Sequence, residues 1–461
     1  MFLREDRAGS IPIHLVYEDE LERWRNAQPE STRNWVAANH FRAERHKLLL
    51  LPDAQGRAAG VVLGLGRQTG EPFSVWHAAS LADRLPDGDY HLAEALPAEA
   101  AHHFAFGWAY GLYRFDRYRR PGSARSLQLR LPDGVDADEI ERLRSATALA
   151  RDLINTPAND MSPEGLAQAA LDLGRRHGCR HRIIIGDDLL ANRFPAIHAV
   201  GRAASVAPRL ADLEWGHPSH PKVTLVGKGV CFDTGGLDIK PSTSMLLMKK
   251  DMGGAAVTLA LAQLIMDARL PVRLRVLIPA VENAISAQAY RPGDVIGTRK
   301  GLSVEVGNTD AEGRLILCDA LALADEDKPD LIVDMATLTG AARVALGPEL
   351  PALFCTDDAL ADELLRSGHR ASDPMWRLPL WTPYEEELSS KFADLNNVSS
   401  SGFSGAIFGA LFLKRFVTET PRWVHLDLYA WNGKERPGRP AGAEPQCVRA
   451  LYAYLKQRYA R

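Results

Sequence analysis

Cysteine is scarce in this sequence. Cys179, Cys231, Cys318, Cys355 and Cys447 are spread over 461 residues with no CxxC pair among them. That excludes a disulfide scaffold and a thiolate metal cage, and suits a reducing cytoplasm. None of the histidines falls in an HExxH pattern, which removes the commonest single-zinc peptidase arrangement. Long apolar runs are missing too, and Met1 to Arg7 has no apolar signal-peptide core, so a cytoplasmic chain without a membrane partner is expected. Charge of one sign is also lacking: 55 basic and 58 acidic residues leave a net charge of −3, which gives no reason to expect nucleic acid as a partner. Gly64-x-Gly66 with Gly70 misses the spacing of both the dinucleotide and the P-loop fingerprints, so a strand running into a tight turn is expected there. There is no internal repeat and no low-complexity tract.

What is present is ordinary globular composition, 46% hydrophobic and 25% charged, in a chain longer than one core usually serves, so two domains are expected. Strand candidates in the first third are 11–16, 46–51, 60–66 and 127–131, with a helix from Ala98 to about Tyr113. The adjacent His102 and His103 point to different faces of that helix and so are not paired ligands. Arg114 to Gly122 is the most basic stretch and is read as a solvated segment or subunit contact. A helical pattern from Ala137 to about Leu153 follows the turn Leu131-Pro132-Asp133-Gly134, and Ser162-Pro163 opens another helix. From Arg182 onward, apolar runs at 183–185, 223–226, 274–278, 331–333 and 424–428 alternate with helical patterns. Buried strands with helices on both faces read that way, which makes the fold class α/β with a mostly parallel central sheet. Val257, Leu261, Leu264 and Ile265 form the expected core stripe of one such helix.

Two polar segments interrupt this pattern. The first runs from Lys228 through Asp233, Gly235, Gly236, Asp238 and Lys240 and is closed by Lys249-Lys250-Asp251-Met252-Gly253-Gly254. The second is Asn308-Thr309-Asp310-Ala311-Glu312-Gly313-Arg314-Leu315, after the β-branched run 302–306. Both should leave strands at the edge of an open sheet where ligands bind. An extended second segment would put Asp310, Glu312 and Arg314 on one side. Locally, Thr309-x-x-Glu312 equally fits a capping box and Asp251 a helix N-cap. Cys231 reads as a small buried thiol and Asp238 as a loop acid.

Together these segments resemble the two signatures of the leucyl aminopeptidase (cytosol aminopeptidase) family, the second being its NTDAEGRL octapeptide unchanged. The likeness covers roughly the C-terminal two-thirds of the chain. It implies a smaller N-terminal α/β domain, residues 1–135, which is non-catalytic and supplies oligomer contacts. Residues 136–461 would hold a linker helix, about 137–153, and the catalytic domain, with six chains forming a homohexamer.

The resemblance also implies two divalent metal ions, manganese or zinc with magnesium or cobalt as further options. Asp233 and Glu312 would bridge them, Lys228 and Asp251 would complete one site, and Asp310 the other. If the four carboxylates converge, they repel each other unless cations neutralise them. Lysine binds a metal only as the neutral amine, a displacement of about 3 to 4 pKa units or roughly 4 to 5 kcal/mol, which a metal bond with burial could supply. The implied reaction is release of N-terminal residues from peptides with a free amine, by attack of a metal-bridging water or hydroxide. Lys240 would stabilise the oxyanion, and Arg314 would hold a bicarbonate as general base. Met248, Gly313, Thr337, Leu338 and Gly340 match substrate- or bicarbonate-binding positions.

Thr234, the segment Ser399 to Ile407 and the bulky Tyr429 depart from the family pattern, so a leucine preference does not follow. The alternatives are a nucleic-acid-binding accessory protein on the same scaffold, as some members of the family are, and a binuclear hydrolase acting on another ester or amide.

Overall fold

The computed structural model describes residues 2–3, 9–68, 70, 73–120, 125–436 and 439–460. Most of the N-terminal stretch and the Pro121-Gly122 end of the basic segment lie outside them. The chain divides into two compact units, Met1–Ser145 with Gly433–Ala441, and Ala146–Asn432 with Gly442–Arg461. The division falls inside the helix Ala137–Asn155. No helix among the described residues is long and apolar enough to cross a membrane.

The first unit is a six-stranded sheet of β1 (Phe2–Leu3), β2 (Ile11–Val16), β3 (Leu48–Pro52), β4 (Ala58–Gly64), β5 (Gly88–Leu92) and β6 (Leu127–Arg130), in the order β1-β6-β5-β2-β4-β3. Alternating side chains of β4 serve two cores. Val61 and Leu63 pack with Ile13, Phe104 and Trp108 on one face, while Val62 packs with Val16, Val36 and Leu49 on the other. The helix Ala98–Gly111 covers the first of these faces; its His103 is buried and lies 2.7 Å from the Phe73 carbonyl, as a core histidine should. In the basic stretch Arg114 pairs with Asp83 and donates to the Gly111 and Tyr113 carbonyls, and Arg117 lies over the Tyr118 ring.

The second unit is built on β7 (Arg180–Ile185), β8 (Arg209–Trp215), β9 (Lys222–Gly227), β10 (Gly229–Asp233) and β11 (Arg273–Asn283). A small separate sheet comprises β12 (Val295–Gly297), β13 (Ser303–Glu305) and, later in the chain, a strand at Leu395–Asn396. The main sheet continues with β14 (Leu331–Ala336), β15 (Ala352–Cys355) and β16 (Trp376–Arg377). With the Leu395–Asn396 strand counted as β17, its last member is β18 (Trp423–Asp427). The order is β16-β15-β18-β14-β9-β11-β8-β7, with β10 pairing β11. Its centre, from β18 through β14 and β9 to β11 and β10, is parallel, and β8 and β15 run antiparallel at the flanks.

The architecture is the expected two-domain α/β fold, with local differences. Strand β7 is an outer strand and exposes Ile185, so its apolar run is not buried on both faces. The strand β8 escapes a search for apolar runs because Arg209, Asp212 and Glu214 interrupt it. The helix Gly253–Asp267 is buried all round, not along one stripe. A Cβ at Gly254 would lie 2.1 Å from the Met335 carbonyl oxygen, so only glycine lets this helix approach β14.

Candidate active site

The first signature does not simply leave β9. After Lys228 it forms β10, which ends at Asp233, and the loop that follows carries Asp238 and Lys240. The second departs further from expectation. Its preceding strand, β13, belongs to the small sheet, and the octapeptide is a turn running into the helix Glu312–Glu326. Asp310, Glu312 and Arg314 therefore do not share one side of an extended segment. Nor is there a capping box. The Thr309 hydroxyl donates to the Gly235 carbonyl (2.6 Å) and accepts from the Asp238 amide (2.9 Å), while the Asp238 carboxylate takes the Thr309 amide at 2.7 Å. These bonds tie one signature loop to the other. Asp251 sits inside a short 3-10 helix, Met248–Met252, and caps nothing.

The two signatures meet in a cleft of about 480 Å³. Lys228, Asp233, Lys240, Met248, Asp251, Asp310, Glu312, Thr337, Leu338 and Gly340 line it; Gly313 and Arg314 do not. Single carboxylate oxygens of Asp233, Asp310 and Glu312 lie within 4.8 Å of one another. Lys228, only 2% exposed, places its Nζ 2.9 Å from Asp251 Oδ2, 2.9 Å from Glu312 Oε1 and 2.7 Å from the Thr337 carbonyl. Gly313 makes room for it, since a Cβ there would lie 2.5 Å from Lys228 Cε. Lys240 pairs with Asp233 at 2.8 Å and with Asp310.

Burial dominates the electrostatics. It pushes Glu312 up to about 8 and Asp310 up to about 6, with Asp233 adding to both, and it raises Asp251 against the pull of Lys228. For Lys228 and Lys240 burial alone would lower the ammonium groups, but the surrounding carboxylates outweigh it and both are raised. With all groups ionised, the four carboxylates exceed the two lysines paired with them by two charges, and the whole lining, with Asp238, Lys250 and Arg343 added, sets five acids against four basic groups. Glu312 Oε2 is buried with no hydrogen-bond partner among the described residues. An unmet oxygen in an acidic, oxygen-rich set with one amine fits divalent cations.

Several supporting residues carried no signal in the sequence. Asn283, at the end of β11, donates to Asp233 Oδ1 (2.8 Å) and to the Thr309 carbonyl (3.1 Å). The Tyr290 hydroxyl donates to the same carbonyl at 2.6 Å. Asp427 accepts from the Leu338 and Thr339 amides and the Thr339 hydroxyl, so the Leu338 N–H is already engaged. The side-chain oxygen of Asn397 accepts from the Gly307 and Asn308 amides, and its carbonyl accepts from Arg314 Nη1 at 2.7 Å. Arg314 is buried, which lowers it to about 10, and its Nε has no hydrogen-bond partner among the described residues. Asparagine and tyrosine at scattered positions belong to no motif, and only the fold brings them to the cluster.

Clustered carboxylates, most of them buried, with two lysines among them and one buried oxygen unmet among the described residues, are the donor set of a metal-dependent hydrolase. Comparison with known proteins narrows the class. The catalytic-domain model of the cytosol aminopeptidase family matches residues 148–452. The model described as M17 aminopeptidase, N-terminal domain, matches residues 11–132, so the likeness extends to the first third of the chain. This chain belongs to the cytosol aminopeptidase family and is an aminopeptidase. A Nitratidesulfovibrio vulgaris protein named "Probable cytosol aminopeptidase" is 37% identical over 98% of this chain and 96% of its own length. One of the same name from a Geobacter species is 41% identical over 83% of this chain and 79% of its own. Among solved structures, the cytosol aminopeptidase of Coxiella burnetii superposes with a TM-score of 0.94 at 46% identity, covering 99% of both chains. The bottromycin maturation enzyme BotP in complex with Mn gives 0.88 at 33% identity, covering 98% of this chain and 99% of its own.

Proposed function

We propose that this enzyme releases the first residue of peptides with a free amine by means of two divalent ions. Lys228, Asp233, Asp251, Asp310 and Glu312 hold them, and manganese or zinc are favoured over magnesium or cobalt. The observation that carries this reading is the convergence of those five side chains in one cleft, with Glu312 Oε2 unmet. The solved neighbour in complex with Mn supports manganese. Bound there, the ions would acidify a water and polarise the scissile carbonyl.

The remaining roles fall to the chain's own groups. Lys228 is held charged between Asp251 and Glu312 and must lose its proton to bind a metal, so metal entry and proton release are linked at this lysine. Lys240 keeps its charge and stabilises negative charge developing on the carbonyl oxygen. Arg314, whose Nε has no partner among the described residues, holds a bicarbonate as general base. Met248 borders the pocket for the first side chain, Thr337, Leu338 and Gly340 border substrate or bicarbonate, and Gly313, outside the lining, serves the site by leaving room for Lys228. The chain works in the cytoplasm as a homohexamer on peptides, without nucleic acid or membrane as partner.

The test is hydrolysis of leucine p-nitroanilide by metal-stripped protein before and after adding manganese or zinc, with Glu312→Ala treated in parallel and metal content measured. Activity restored by metal in the wild type and absent from the variant is expected. Protein that retains no metal refutes the ligand assignment.

A further inference from the structure

The wall of the cleft beside the carboxylates carries two cations that the reaction above does not use. Lys250, adjacent in sequence to Asp251, is only 4% exposed, and its Nζ lies 4.5 Å from the centre of the Tyr429 ring. The guanidinium of Arg343 lies 5.1 Å from the same ring, and all three residues line the cleft. Neither cation forms an ion pair or side-chain hydrogen bond among the described residues. The nearby carboxylates are already engaged, Asp251 by Lys228 and Thr337, Asp427 by Leu338 and Thr339. An aromatic face attracts a cation without neutralising it. Two cations therefore share one ring with no anion between them, and burying an ammonium group without a partner is costly.

This inference rests on the aminopeptidase reading, in which the substrate amine sits among the carboxylates and the first side chain extends along the adjoining wall. We infer that the wall receives a carboxylate, so that the enzyme favours peptides beginning with glutamate or aspartate, with Lys250 and Arg343 as specificity residues. Tyr429 fixes both cations and takes up the volume a branched apolar side chain would fill. The bulky tyrosine and the two cations then form one device.

Metal-loaded wild type, Arg343→Gln and Lys250→Met are compared on glutamyl-, glutaminyl- and leucyl-p-nitroanilide. Glutamine matches glutamate in shape without its charge, and anilides carry no terminal carboxylate. The wild type should favour glutamyl over glutaminyl in kcat/KM by about tenfold or more, the size of one charge-assisted hydrogen bond, and each variant should bring that ratio towards one. Arg343 is exposed on the helix Gly340–Leu346, so its variant tests the idea even if Lys250→Met fails to fold. Leucyl cleavage with glutamyl no better than glutaminyl overturns the inference and leaves the aminopeptidase reading standing. Discrimination seen only between leucylglycine and its amide assigns the wall to the peptide's carboxyl end and also overturns it. If no substrate is cleaved, the aminopeptidase reading fails, and calorimetry with glutamate and glutamine decides the wall: tighter glutamate sustains the carboxylate site, equal binding removes it.

Discussion

His77 in the first unit and Glu312 in the second are both buried titratable side chains, yet burial has opposite consequences for them. His77 stacks on Phe73, takes part in the capping box at Ser74 and is lowered by burial to about 4; His46 beside it is likewise lowered to about 4. Both are neutral near pH 7 and behave as polar packing. In the second unit, Lys228, Asp233, Asp251, Glu312 and Arg314 are buried around a cleft with charge that the chain does not fully balance. Burial of an acid is not the distinguishing mark. Asp319 lies on the same helix as Glu312 and is pushed up to about 7 by burial, but its oxygens accept from the Ala196, Ile197 and Arg299 amides. Asp319 joins elements together, whereas Glu312 Oε2 has no hydrogen-bond partner among the described residues. The difference teaches that an unmet oxygen, more than a displaced pKa, separates a working carboxylate from a structural one.

The comparison can be broken at several points. Lys240→Met should lower kcat by about a hundred- to a thousandfold with metal content preserved, because it removes one fixed charge from the developing oxyanion. Equal kcat in the variant would make Lys240 a structural counter-ion like the first unit's polar residues. Gly313→Ala should come next. Its Cβ meets Lys228, and a displaced ligand should weaken metal retention and activity by about ten- to a hundredfold; unchanged metal content would show that Lys228 does not hold the ion.

The smallest effects concern pH and have opposite signs in the two units. Asp319 has a folded pKa above its unfolded value near 3.9, so the folded state holds the extra proton between about pH 4 and 7 and stability falls as pH rises through that window. Asp319→Asn should remove that part of the slope in urea unfolding, at a cost of about 1 to 3 kcal/mol for a backbone amide left unpaired. For His46 and His77 the folded pKa lies below the unfolded value of about 6.5, so their contribution is present above that pH and is lost as pH falls to about 4. Protection factors against hydrogen exchange in the helix Val75–Ala79, taken relative to the intrinsic rate at each pH, should fall on acidification, and less so in His77→Gln. Slopes of the same sign for Asp319 and the histidines would remove the contrast.

Much of this was legible in the sequence, for physical reasons that also set its limits. The apolar runs at 223–226 and 331–333 gave β9 and β14 because central parallel strands are apolar on both faces. Spacing two in Asp310, Glu312 and Arg314 misled, because a turn entering a helix gathers side chains that an extended segment would align. Nothing local to Lys228 marks it as buried; the pairing of β9, β10 and β11 and the close approach of Gly313 account for it. Asn283, Tyr290 and Asn397 were out of reach, since their partners lie tens of residues away and no local pattern marks them.

Asn397 has one more consequence. It clamps the turn before the octapeptide and the guanidinium of Arg314, and the left-handed Ser404 opens the next helix seven residues later. Between these posts lies the serine-rich segment 399–403, with Phe403 at its end 82% exposed. The span 399–403 is thus a short bridge with both abutments set by the fold, the Asn397 clamp at one end and the helix Gly405–Lys414 at the other, and the exposed Phe403 rides on it.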